Sequence, residues 1–131
     1  MANPNIVAVT AIYGITTYLT PNGTSALVLL PNAASSGLVF KINQIVVANA
    51  TGSAANATVS IYTNGAVAQN GTPSGGTAFP IVSAVSVPAN ASLIAVDKST
   101  GLYLMEGTSI TITSGTSNAL TFSISYESIA S

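Results

Sequence analysis

The chain has 131 residues, of which two are Lys, three are Asp or Glu, and none is Arg, His, Cys or Trp. Charged residues make up 4%, against about 25% in an average soluble domain. Lacking Cys it has no disulfide framework or thiolate chemistry, lacking His it has no imidazole-dependent triad, and two lysines cannot neutralise a run of phosphates, so nucleic-acid binding is excluded.

The hydrophobic fraction is ordinary at 48%; short neutral residues have replaced the missing charge. One domain spanning 1–131 is expected, because domains commonly hold about 100–150 residues. The start, Met1 to Asn5, carries no positive region and is a poor signal peptide. The apolar runs at 26–30 and 45–48 are far shorter than the roughly 18 residues of a spanning helix, so no membrane role is expected.

Period two dominates the chain. Strands are expected over roughly 6–13, 15–20, 25–30, 38–48, 57–63, 79–87, 92–97, 102–105, 108–114 and 119–127, of which about eight survive once neighbours fuse. The two segments Ile6-Val7-Ala8-Val9 and Leu27-Val28-Leu29-Leu30 are apolar on both faces. One face can fill a core; the other needs a cover, either a loop of the same chain or, preferably, a second subunit. Ile6, Val7, Val9, Val28 and Leu30 are therefore the candidate subunit-interface residues.

Leu38, Phe40 and Ile42 share one parity, and Ile45 and Val47 the other. Both sets reach one core only if an extra residue near Asn43-Gln44 forms a β-bulge. Asn22-Gly23, Asn64-Gly65, Asn70-Gly71 and Gly75-Gly76 mark turns, and 66–79 is the longest polar insertion, expected as an exposed loop. Near the C-terminus, Ile110 and Ile112 alternate with Thr111 and Thr113, and Phe122 and Ile124 with Thr121, Ser123 and Ser125. Those hydroxyl rows suit an ordinary solvated sheet face or a flat surface for a sugar, ice or protein. No long stretch has helical spacing. The expected fold is all-β, a single antiparallel β-sandwich of jelly-roll or immunoglobulin-like topology.

Chemistry-bearing residues are few. Asp97, Glu106 and Glu127 are the carboxylates, and two of them would have to converge in a cleft for glycoside hydrolysis. Asp97 and Glu106 stand at turn sequences, so rim positions are expected. Lys41 reads as a surface lysine rather than a Schiff-base former. Asn-x-Ser/Thr triplets at Asn22, Asn49, Asn56, Asn70 and Asn90 follow from a composition rich in those residues. No catalytic residue, metal site or cofactor is implied, and no phosphate-cradling or calcium-loop motif occurs.

The succession Val85-Ser86-Val87-Pro88-Ala89, Leu93-Ile94-Ala95-Val96, Leu102-Tyr103-Leu104, Glu106-Gly107-Thr108-Ser109-Ile110 and Phe122-Ser123-Ile124-Ser125-Tyr126-Glu127 resembles small β-sandwich virion proteins of tailed bacteriophages. Ile42 to Asn49 and Ala57 to Tyr62 extend the resemblance over roughly residues 38–128. It implies a structural protein of virions assembled in the host cytoplasm. That protein would be a capsid decoration or cement protein partnering the major capsid protein or another virion protein, with a homotrimer as the expected oligomer. A neck, tail or fibre module for adhesion or carbohydrate recognition is the alternative.

Overall fold

The computed structural model describes residues 4–130; Met1–Asn3 and Ser131, at the ends of the expected domain, lie outside the described residues. Nine strands follow one another: β1 (Ala11–Leu19), β2 (Leu27–Asn32), β3 (Leu38–Asn49), β4 (Ala55–Tyr62), β5 (Ala78–Val87), β6 (Ser92–Val96), β7 (Leu102–Leu104), β8 (Thr108–Ser114) and β9 (Leu120–Ala130). A 3₁₀ turn, Lys98–Thr100, separates β6 from β7.

All pairings are antiparallel. One sheet runs β1-β9-β3-β6, with β7 pairing β3 beside β6; the other runs β2-β8-β4-β5. Ile45 to Ala48 of β3 pair with β6, and Phe40 to Ile42 with β7, so β6 and β7 act as one strand interrupted by the turn. Counted so, eight strands form two four-membered sheets in jelly-roll order. The immunoglobulin arrangement, with its ABED and CFG sheets, is not the one adopted.

The core lies between the sheets. From the first sheet come Phe40, Ile42, Ile45, Val47, Leu120, Phe122, Ile124 and Tyr126; from the second, Leu29, Leu30, Ala57, Val59, Ile110 and Ile112. Phe40 and Tyr126 meet as a tilted ring pair, centroids 4.9 Å apart.

The expected bulge in β3 is present: the register against β9 shifts between Ile42 and Gln44, which lets both parity sets face the core. A second bulge was not anticipated. In β2 the register against β8 shifts between Val28 and Leu30, so Leu29 and Leu30 both enter the core.

Two expectations are corrected here. Residues 6–8 form a turn rather than the start of a strand: the Asn5 side chain accepts the Val7 N–H at 2.9 Å, and the Ala8 N–H donates to the Asn5 carbonyl at 3.1 Å. The first strand begins at Ala11 and runs unbroken through Gly14 to Leu19, fusing the two segments expected at 6–13 and 15–20. Second, the polar insertion is the connection between β4 and β5, residues 63–77, because β5 already starts at Ala78.

Candidate interaction surfaces

The 63–77 connection is exposed on its outer side yet tied down on its inner one. The Val28 N–H donates to the Gly71 carbonyl and the Asn70 N–H to the Val28 carbonyl, both at 2.9 Å, so the loop pairs with the free edge of β2. The Ser109 hydroxyl donates to the Asn64 carbonyl at 3.0 Å, and Ser109 and Thr111 are buried although they point away from the core. Gly65 lies so close to the sheet that an added Cβ would stand 2.1 Å from the Asn32 carbonyl oxygen.

Val28 and Leu30 are consequently buried within one chain, and the expectation that a second subunit covers them is corrected. The β2 bulge turns Leu30 inward, and the chain's own loop seals the edge at Val28. Thr111 likewise belongs to no open hydroxyl face. On the other sheet Thr121, Ser123 and Ser125 are half-buried and partly satisfied locally: Ser125 shares a hydrogen bond with Thr16 at 3.0 Å and Thr121 with Thr20 at 2.7 Å.

Ile6, Val7 and Val9 lie at the surface, in the segment that leads into β1. Val7, at the turn, is 92% exposed; Val9 is half-buried. Ile6 lines a shallow apolar groove of about 270 Å³ with Pro4, Val39, Tyr103 and Met105. Val39 and its register partner Ile129 are buried but stand apart from the main core cluster, as the outward parity beside Phe40 requires.

Sequence reasoning missed the edge strand β1. It ends its sheet, runs nine residues in unbroken register with β9, and carries Ile12, Tyr13, Ile15 and Tyr18 as exposed large hydrophobics. The available signal was the uninterrupted Ala-Ile-Tyr-Gly-Ile-Thr-Thr-Tyr-Leu run, free of charge and proline; splitting it at Gly14 concealed its length.

A polar cleft of about 480 Å³ opens beside the β3 bulge, lined by Asn43, Gln44, Asp97, Lys98, Ser99 and Ser125. Asp97 accepts the Ser99 hydroxyl at 2.5 Å and the Ser99 N–H at 3.0 Å. These bonds, the hydroxyl's first, hold its carboxyl below the usual carboxylate range, the opposite of what a general acid needs. Glu127 approaches through Asn43, whose side-chain N–H donates to its carboxylate at 3.2 Å. Glu106 lies beyond the far end of β7. Leu104 is level with Phe40 and Val96 with Ile45, which puts Glu106 some six strand residues, or about 20 Å, from Asp97. Lys41 stands opposite Glu127 and Tyr103 in the register. Among the described residues no group of three or more His, Cys, Asp or Glu side chains gathers as a metal site.

No family model and no curated protein matches the chain. Among solved structures, it is similar to a chain in the structure of infectious bursal disease virus Gx strain, at 9% identity and a TM-score of 0.33. That match covers 92% of this chain and 42% of the other, so the chain spans less than half of that neighbour's length.

Proposed function

We propose that the protein is a non-enzymatic structural component of a tailed-bacteriophage virion, a decoration or cement protein that attaches to the shell as an oligomer and holds neighbouring major capsid subunits together. The observation that carries this reading is the pairing of an almost charge-free jelly roll with a long, uncharged, apolar sheet edge. Such a surface gains from contact with another protein and offers little to a nucleic acid. Jelly rolls recur in capsid and lectin domains; that is support by analogy of fold. The remoteness of Glu106 from Asp97 and the ionised state of Asp97 support a role without chemistry.

Cryo-electron microscopy of purified particles tests the reading. The expected result is density for this jelly roll repeated over the shell at seams between capsid subunits. Absence of the chain from particles overturns it. Density confined to the neck, tail or fibre favours the second reading, an adhesion or carbohydrate-recognition module, for which the polar cleft around Asn43, Gln44 and Asp97 is the candidate binding surface. A glycan array with wild type and Gln44→Ala examines that surface directly.

A further inference from the structure

With β2 covered by the 63–77 connection, three sheet edges remain, and they are built differently: the β6–β7 edge is broken by the Lys98–Thr100 turn. At one end of its sheet, β5 carries Pro80, which has no N–H to offer, and its register against β4 shifts twice, on either side of Val59. Ala84 there takes a positive φ of 50°, and its N–H is already bound by Thr58 Oγ1 at 2.9 Å. Proline, bulges and internal capping are the devices that stop an edge from pairing with another chain.

β1 has none of them. Its nine register pairs with β9 run without a shift, it contains no proline or charged residue, and alternate backbone groups face away from β9. From beyond that side Gln69 reaches the strand, its amide N–H donating to Thr17 Oγ1 at 2.8 Å and to the Tyr18 carbonyl at 3.5 Å. Four of the ten exposed large hydrophobics among the described residues sit on this strand.

We infer that β1 is a self-pairing edge. Two copies of the chain join β1 to β1, antiparallel about a two-fold axis at Ile15, so that their sheets become one continuous sheet. The midpoint of Ala11–Leu19 is Ile15, and a two-fold axis there sets Ile15 against the partner's Ile15, Ile12 against the partner's Tyr18 and Tyr13 against the partner's Thr17. Gly14 meets the partner's Thr16, small against small. Every large exposed side chain thereby gains a β-branched or aromatic neighbour, the cross-strand combinations that favour pairing.

Charge permits the arrangement. The nearest charged group in the sheet is Glu127, opposite Gly14 on β9. Its carboxylate is bonded to Asn43, which belongs to β3, so it is drawn away from the β1 edge. In the pair the two Glu127 residues would be three strand spacings apart, about 14 Å, beyond the roughly 8 Å screening length at physiological salt. A second copy fits this edge better than a charged partner strand, which would set its charges against an uncharged apolar row. The inference rests on strand geometry and does not depend on where the protein functions.

Sedimentation of the purified full chain reads the outcome directly: a mass twice the 13.0 kDa of one chain is expected. Replacing Ile12 and Tyr18 together by Lys puts like charges opposite each other at both ends of the seam and should weaken the dimer at least about tenfold. The combination Ile12→Lys with Tyr18→Glu makes those same pairs complementary and should restore it. Both positions are exposed, at 55% and 69%, and an unchanged thermal transition verifies folding. Independently, Ile15→Cys in this cysteine-free chain should crosslink to its own copy through a short bis-maleimide, whereas Thr10→Cys should not. A monomer or a trimer in solution, an undisturbed dimer in the double-Lys variant, or crosslinking of Ile15→Cys only to another virion protein overturns the proposal.

Discussion

Two buried asparagines hold the ends of the sandwich. Asn32 donates from its side chain to the carbonyls of Leu38 and Leu104 at 3.0 and 3.1 Å and accepts the Ser36 hydroxyl at 2.6 Å, tying β2, β3 and β7 together. Asn49, 2% exposed, donates to the carbonyls of Ser53 and Val87 at 2.8 and 3.0 Å and accepts from the Thr51 N–H and hydroxyl. The triplet Asn49-Ala50-Thr51, which has the sequence form of a glycosylation acceptor, is therefore spent on an internal turn. Truncating either asparagine leaves buried carbonyls without a donor. Asn32→Ala and Asn49→Ala are each expected to lower unfolding free energy by about 2–3 kcal/mol, read from urea denaturation. Gly65→Ala has a different cause and a comparable size. Its Cβ would collide with the backbone oxygens of Asn32 and Thr108, neither of which can rotate away, so a loss of about 1–3 kcal/mol is expected.

Among the elements, β3 depends most on a single residue. Removing Asn43 would erase the bulge, and the parity of Leu38, Phe40 and Ile42 would then expel Ile45 and Val47 from the core, or the reverse. Exposing two such side chains costs about 3–6 kcal/mol, a large part of the roughly 5–15 kcal/mol a domain possesses. Deletion of Asn43 should abolish the cooperative thermal transition seen by circular dichroism, whereas Asn43→Ala, which keeps the residue count, should retain it. This bulge was legible in the sequence because five apolar positions, Leu38, Phe40 and Ile42 before it and Ile45 and Val47 after it, bracket it. The β2 bulge was not, because Leu27 to Leu30 is apolar at every position and offers no parity to break. Illegible for the same reason was the cover over Val28: polar loops carry no mark of the edge they will pair with, and only the folded chain brings Gly71 beside Val28. The turn at 6–8 was misread because apolar residues crowd Ile6 to Val9, while the Asn5 cap that bends the chain there is a single side chain.

For the molecule as a whole, sheet class and strand count follow from alternation, but which strands become edges depends on the order of pairing, a non-local property. What composition does dictate is the response to solvent. With neither His nor Cys, no side chain has an ordinary pKa between about 5 and 8, so stability should be nearly flat across that range. Asp97, held low by Ser99, contributes stability that is present above its ordinary pKa and is lost as pH falls through its depressed one; being fully exposed, it contributes little. Burial raises the Tyr126 phenol, so its contribution is complete below about pH 10 and is lost as pH rises through the folded value. A thermal midpoint that falls only at the acid and alkaline extremes, with the alkaline fall reduced in Tyr126→Phe, is the expected profile. Salt separates apolar from ionic assembly more sharply. Raising sodium chloride from about 0.1 to 1 M shortens the screening length from about 10 to 3 Å. It would loosen a contact held by charge, but it has almost nothing to act on at an edge made of Ile12, Tyr13, Ile15 and Tyr18. Excluded salts such as sulfate strengthen apolar burial. Self-association measured by sedimentation should therefore stay constant in chloride and tighten in ammonium sulfate; a steep weakening in chloride would mean that Lys41, Lys98 and the three carboxylates, few as they are, hold the assembly together.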